Sequence, residues 1–448
     1  MSERRDALLK GFDDNASFMK TTVERNIRIH RMGTGTITVA KPDGTPIPGA
    51  QIKLSLRNHD FNFGCNLFML DEMESPEKNE GYKASFAKLF NYAVVPFYWR
   101  DLEPEQGKPR YSKDSPKIYR RPAPDLCVEY CQAHDIRMKG HCLVYPGWSP
   151  EWMPRDIRQQ KILTQAHIEE IANRYERQIQ DWDVENENLC FNEMPIFKLA
   201  EEPDFLEWCY DVADKAFTTG DRMFINEAAF IWKDSGLWQF MGTRSPYYMQ
   251  IERLLRSGCR VDAIGLQFHQ FIRREDEQKP GYSLPYDPVK LYKVMDCYGR
   301  LCRPLHVSEI TIPAYTQDAD DEDVQAQLCE QLYKTWFSHP AMDGIVYWNL
   351  PDGYAAFAPQ NTNEGENYYA GGLIHYDLTE KPSYKALYQL IHREWRTQVE
   401  LTADEKGAVS FEGFFGDYDV TVSAGKDTAG KSIHLSQKED RHFTLICD

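Results

Sequence analysis

IQDWDVENE (179–187), MFINEAAF (223–230), VDAIGLQFH (261–269) and PLHVSEITI (304–312) decide the fold of this chain. Each is a short apolar run closing on polar residues. The pattern extends outward on both sides, through FNFGCNLFM (61–69), YAVVPFYW (92–99) and IRMKGHCLVY (136–145) before them and DGIVYWNL (343–350) after. Helical spacing fills the intervals, as over 162–179, 203–218, 247–257 and 324–338. Eight β segments alternating with helices across 60–395 predict an α/β fold, a (β/α)8 TIM barrel with generous loops. In such a barrel the C-terminal strand ends form the active face, so polar residues that close an apolar run become candidates.

Two runs close on carboxylates. The fourth ends Trp182-Asp183-Val184-Glu185-Asn186-Glu187 and the seventh ends Val307-Ser308-Glu309-Ile310. Glycoside cleavage needs one carboxyl to protonate the leaving oxygen and a second to meet positive charge at the anomeric carbon. A carboxylate from each run supplies such a pair, provided their environments separate their protonation. On this pattern alone, a barrel-mouth salt bridge remains the other reading of either glutamate.

Outside the barrel the texture changes. Residues 1–31 read as an amphipathic lead-in, helical around 3–29. TGTITVAKPDGTPIPGAQIKLSLRNHDF alternates apolar and polar residues around a turn-rich centre, and so do the short runs 409–411, 418–422, 433–435 and 443–446. Neither end has enough strands to bury a core alone. The opening PDGTPIPGA and the closing GFFGDYDVTV resemble the two ends of an immunoglobulin-like, carboxypeptidase-regulatory-type sandwich. The expected organisation is a lead-in (1–31), a first sandwich part (32–59), the barrel (60–395) and a second sandwich part (396–448), with two separate β extensions as the alternative.

Composition limits the function. The chain has 448 residues, a formal charge of −17, 42% hydrophobic and 13% aromatic residues, enough for a sizeable core. An acidic chain without a Lys/Arg-rich run does not suit a nucleic acid. The 11 cysteines lack zinc-site spacing: Cys127 and Cys131 have no matching His/Cys pair downstream, and no metal or organic cofactor is expected. No 18-residue apolar stretch predicts a membrane span. The charged N-terminus has no apolar leader core, so the sequence as it stands reads as cytoplasmic, or as secreted or periplasmic if a leader was removed.

GHCLVYPGWSPEWM (140–153), WDVENE (182–187), INEAAF (225–230), GLQFH (265–269), VSEITI (307–312), GIVYWNLPDGY (344–354) and GGLIHYDLTEKPSYKALYQLI (371–391) occur in that order. This ordered set resembles glycoside hydrolase family 10, the endo-β-1,4-xylanase family. The resemblance implies that Glu187 is the general acid/base and Glu309 the nucleophile of a retaining enzyme acting on a polysaccharide or oligosaccharide. It implies that Asn186 holds the sugar 2-hydroxyl, that Gln267 and His269 flank the nucleophile, that His141 contacts the glycone, and that Trp348 floors the sugar. Asn226, Tyr145 and Trp148 complete the expected substrate-binding set.

The chain also departs from the family pattern. VVPFYWRDLEP (94–104) puts Pro96, Phe97 and Tyr98 where polar grips on the distal glycone sugar are expected. Tyr145-Pro146 replaces a Trp-His pair, and Ala356 aligns with a second Trp. Arg100 or Trp148 are candidate replacements for the lost contacts. Hydrogen bonds to substrate hydroxyls discriminate strongly, so these changes bear on which sugar fits. The expected function is retaining hydrolysis of β-1,4-linked xylan or xylo-oligosaccharides. A retaining, exo-acting glycosidase of different specificity and a non-catalytic carbohydrate-binding barrel are the alternatives.

Overall fold

The computed structural model describes residues 3–190, 195–218, 220–233, 240–277, 279, 285–424 and 427–447. The expected outer limits of the lead-in and of the second sandwich part, residues 1–2 and 448, and residues 425–426 lie outside them.

Two strands come first, β1 (Met32–Ala40) and β2 (Gln51–His59). The next nine are β3 (Asn62–Asn66), β4 (Tyr92–Pro96), β5 (Arg137–Val144), β6 (Asp181–Asn186), β7 (Arg222–Glu227), β8 (Ala263–Leu266), β9 (Phe268–His269), β10 (Leu305–Thr311) and β11 (Met342–Tyr347). Neighbours pair in parallel, and β11 pairs both β10 and β3, which closes the ring. With β8 and β9 as two pieces of one strand, this is the expected (β/α)8 barrel. Strands with both faces covered need apolar residues throughout rather than alternation, which is why these runs are nearly continuous. Trp182 of β6 packs on the helix-facing side against Phe97 and Phe217 and lies beside Gly140, where a Cβ would stand 2.1 Å from its ring.

The helices read from spacing are present with shifted ends, for example Ile157–Tyr175, Phe205–Ala216 and Asp321–Ser338. Asp156 caps the first of these by accepting from the Gln159 amide at 3.0 Å. The lead-in is helical from Glu3 to Arg31 but broken near Leu9 and Asn15, with a π turn at Met19–Val23. Its last residue anchors it to the barrel: Arg31 donates to the carbonyls of Phe337 (2.6 Å), His339 (2.6 Å) and Met342 (2.8 Å).

Five strands follow the barrel: β12 (Gln398–Thr402), β13 (Ala408–Phe414), β14 (Gly416–Ala424), β15 (Asp427–Leu435) and β16 (His442–Ile446). They join the N-terminal strands in two sheets, ordered β13-β1-β16 and β12-β2-β14-β15. The register sets Ile37 opposite Val409 and Leu54 opposite Val420. Ile37, Val39, Ile52, Leu54, Leu56, Tyr418, Val420 and Val422 are buried. The two ends of the chain therefore share one β structure. No helix among the described residues is long and apolar enough to cross a membrane.

Candidate active site

The site lies where the barrel strands end. Glu187 follows β6 with a left-handed backbone (φ 60), a costly conformation for a glutamate. Its amide donates to the Asn226 carbonyl of β7 at 3.1 Å, which ties this turn to the neighbouring strand. Glu309 lies within β10 and is 3% exposed.

Gln267 stands between the two carboxylates. Its Nε2 donates to Glu187 Oε1 at 2.9 Å and to Glu309 Oε1 at 3.1 Å. Those two oxygens are thus no farther apart than two hydrogen bonds laid end to end. That bound on the facing oxygens accommodates the roughly 5–5.5 Å carboxyl separation of retaining enzymes.

Glu309 is held by further donors. Asn226 Nδ2 donates to Oε1 at 2.7 Å and His269 Nε2 lies 3.0 Å from Oε2. Asn226 is itself aimed by Ser308, whose hydroxyl donates to Asn226 Oδ1 at 2.5 Å, and it also donates to Asn186 Oδ1 at 2.8 Å. Gly265 makes this possible, because a Cβ there would stand 2.3 Å from Asn226 Oδ1. Burial pushes His269 down to about 4, so the ring is neutral at pH 7 and its Nε2–H donates while Nδ1 faces Thr311 Oγ1 at 2.9 Å.

Burial pushes Glu309 up to about 8, with the charge of Glu187 adding to the rise and His141 opposing it. One neutral and one ionised carboxyl in the same site is the state that acid-assisted displacement needs.

His141 lies within β5 beside Asp183, with Nδ1 at 2.8 Å from Asp183 Oδ2 and Nε2 at 3.1 Å from the Tyr98 hydroxyl. Burial raises the Asp183 carboxyl, but Lys139, 2.8 Å away, and His141 together hold it below the usual range. Trp348 packs its ring against Phe68 (5.3 Å), His141 (5.4 Å) and His269 (5.8 Å). Tyr145 donates to Glu187 Oε2 and stacks on Trp148 at 5.1 Å. Tyr98, Tyr145, Trp148, Trp348 and both glutamates line a cavity of about 190 Å³.

All ten residues singled out from the sequence thus gather at one barrel mouth. Of the two suggested replacements, Trp148 lines the cavity, whereas Arg100 lies behind it, 5.0 Å over the Trp148 ring. Phe97 turns into the core against Trp182, leaving Tyr98 alone of that segment on the cavity. The sequence reading missed Phe68, Arg120, Arg121 and Glu366, which also line it. Arg120, Arg121 and Glu366 come from loops without periodicity, so no pattern flags them, and Phe68 sits in the 61–69 run, where an apolar residue reads as strand core.

A second pair of carboxyls lies behind the first. Glu185 is fully buried with neither oxygen hydrogen-bonded, and burial together with Glu227 and Glu187 pushes it well up. Glu227, pushed up to about 8 by burial, accepts from the Leu189 amide at 3.0 Å and the Ala228 amide at 3.1 Å. It thereby braces the turn that follows Glu187.

Comparison with known proteins places the barrel in a family. The model of glycosyl hydrolase family 10 matches residues 72–390. The chain is 22% identical over 426 residues to anti-sigma-I factor RsgI6 of Acetivibrio thermocellus, covering 92% of this chain and 48% of that protein. It is 23% identical over 421 residues to endo-1,4-beta-xylanase 1 of Arabidopsis thaliana, covering 91% and 38% respectively. The chain therefore spans less than half the length of these curated relatives. Among solved structures, a family 10 protein from Paenibacillus barcinonensis superposes with a TM-score of 0.57 at 18% identity, over 75% of this chain and 96% of that one. The intracellular xylanase TsXylA of Thermoanaerobacterium saccharolyticum gives 0.56 at 20%, over 74% and 96%.

Proposed function

The chain belongs to glycosyl hydrolase family 10, and from that premise we propose that it is a retaining glycoside hydrolase acting on β-1,4-linked xylan or xylo-oligosaccharides. Glu309 attacks the anomeric carbon as the bond to the leaving oxygen breaks, and Glu187 gives that oxygen its proton. Glu187 then takes a proton from water, whose oxygen attacks the same carbon and displaces Glu309.

The observation that carries this reading is Gln267 bridging the two carboxylates at 2.9 and 3.1 Å. In this scheme the donors Asn226, Gln267 and the neutral His269 oppose the burial that raises Glu309 and favour its charged, nucleophilic form, while Glu187 serves as the acid. Asn186, fixed by Asn226, faces the cavity where a 2-hydroxyl would lie, and a contact there strengthens as charge develops. His141 and Trp348 shape the sugar's floor, and Tyr145 and Trp148 extend it. The scheme uses no metal or organic cofactor, and its only partner is the carbohydrate. Eleven unpaired cysteines fit a reducing compartment such as the cytoplasm.

Product analysis tests the proposal. Wild-type protein should release xylo-oligosaccharides or xylose whose newly formed reducing ends are first β, by proton NMR, and Glu309→Gln should release none. An α product would overturn retention. Sugar binding without turnover would favour the non-catalytic barrel.

A further inference from the structure

Arg120 is buried, at 3% exposure, in the loop between β4 and β5, and it also has a left-handed backbone (φ 60). Its Nη1 donates to Asn349 Oδ1 at 3.0 Å and to the Tyr354 carbonyl, which fixes the guanidinium at the cavity wall. Its Nε has no hydrogen-bond partner. Glu366, from the short 3-10 turn Gly365–Tyr369, lines the same cavity, and its Oε2 is likewise buried and unpartnered. An orphaned donor and an orphaned acceptor on two residues that line one small cavity beside the catalytic pair are a costly arrangement unless a ligand reaches them. A sugar hydroxyl does so, because one O–H both donates and accepts.

The cavity wall limits how much sugar can enter. Arg121, paired with Asp101 at 2.9 Å, lies 3.9 Å over the Tyr98 ring, and both arginines stand over Phe68. These groups occupy the side where the family's grips on a distal glycone sugar are expected. At about 190 Å³ the space is below the roughly 300–1,000 Å³ of pockets for larger ligands. Asp101 pairs with Arg121, and Glu366 lines the same cavity as Arg120.

We propose that Arg120 Nε–H and Glu366 Oε2 grip the hydroxyls of a single neutral sugar ring, so that this enzyme recognises the non-reducing-terminal residue of short chains. The inference rests on the glycosidase reading above and names its substrate class. Arg120 beside Glu366 offers a donor and an acceptor together, which suits a neutral hydroxyl better than a carboxylate, and Arg121, Tyr98 and Phe68 crowd the side that a second glycone sugar would need.

The test compares aryl β-xyloside, β-glucoside, β-glucuronide and β-xylobioside with wild type and Glu366→Ala. Wild type should turn over a neutral monosaccharide glycoside with kcat/KM at least equal to that for the xylobioside. Glu366→Ala should raise KM for it about 10–100-fold, the range for a lost hydrogen bond to a charged group. An unchanged melting temperature would separate this effect from misfolding, and Arg120→Lys should weaken KM in the same direction. A wild-type preference of tenfold or more for the xylobioside or the glucuronide, or an unaltered KM in Glu366→Ala, would overturn the inference and leave the glycosidase reading intact. No hydrolysis of any aryl glycoside or xylo-oligosaccharide would remove both.

Discussion

The phenol of Tyr145 donates a hydrogen bond to the Glu187 carboxyl. Tyr145 stands where the sequence departs from the family pattern, so the departure reaches the proposed acid/base itself. A donor to a carboxylate stabilises its charged form. Tyr145→Phe should therefore move the alkaline limb of the pH–rate profile to higher pH and reduce kcat/KM about 10-fold. An unmoved alkaline limb would mean that this contact does not tune the proton donor.

Glu187→Ala and Glu309→Gln should fail in different ways. Loss of the nucleophile removes the covalent step for every substrate, a fall of about 10⁴-fold or more. Loss of the acid matters in proportion to how much the leaving group needs a proton. Glu187→Ala should keep far more activity on a dinitrophenyl glycoside than on a xylo-oligosaccharide, measured by initial rates. Equal losses on both would reject the assignment.

Glu185 makes a prediction about stability. Its folded-state affinity for a proton is raised by burial, so the folded protein holds a proton that the unfolded chain releases above about pH 4.5. Stability from this group therefore falls as pH rises above that value. Glu185→Met removes two unpartnered buried oxygens and should stabilise by about 1–3 kcal/mol at pH 8, with a smaller gain at pH 5. Thermal unfolding at the two pH values measures the difference; a larger gain at pH 5 would contradict it.

The division into a barrel (60–395) and one β unit formed by 32–59 with 396–448 can be tested by truncation. Ending the chain at Trp395 removes every partner of β1 and β2 and exposes Ile52, Leu54 and Leu56. Such a protein should aggregate or melt well below the full chain, and adding back 396–448 as a separate peptide should restore it. An equally stable truncated chain would mean that the barrel does not depend on the β unit.

Arg31 links the lead-in to the barrel. Arg31→Ala leaves the carbonyls of Phe337, His339 and Met342 without this donor, which should cost about 2–4 kcal/mol. Denaturant unfolding would register the loss, and a change below about 0.5 kcal/mol would show water replacing the guanidinium.

The barrel and its proposed catalytic pair were legible in the sequence because both follow from local pattern. A buried parallel strand needs a nearly continuous apolar run, so IQDWDVENE and PLHVSEITI announce themselves, and the glutamates closing them must stand at the active face. The same local reading did not separate Glu185 from Glu187, although the two lie on the same segment. Only the strand's orientation decides that one is sealed without partners and the other meets Gln267. Likewise, nothing in residues 103–123 or 357–370 marks Arg120 or Glu366, since loops carry no period. Where these side chains point depends on contacts made across the whole chain, such as Arg120 with Asn349 and Tyr354. The sequence by itself determined the strands, the order of the barrel and the carboxylates at its mouth, because those depend on neighbours along the chain. The tertiary structure alone decided the size of the cavity and which polar groups were left facing it, because those depend on neighbours in space.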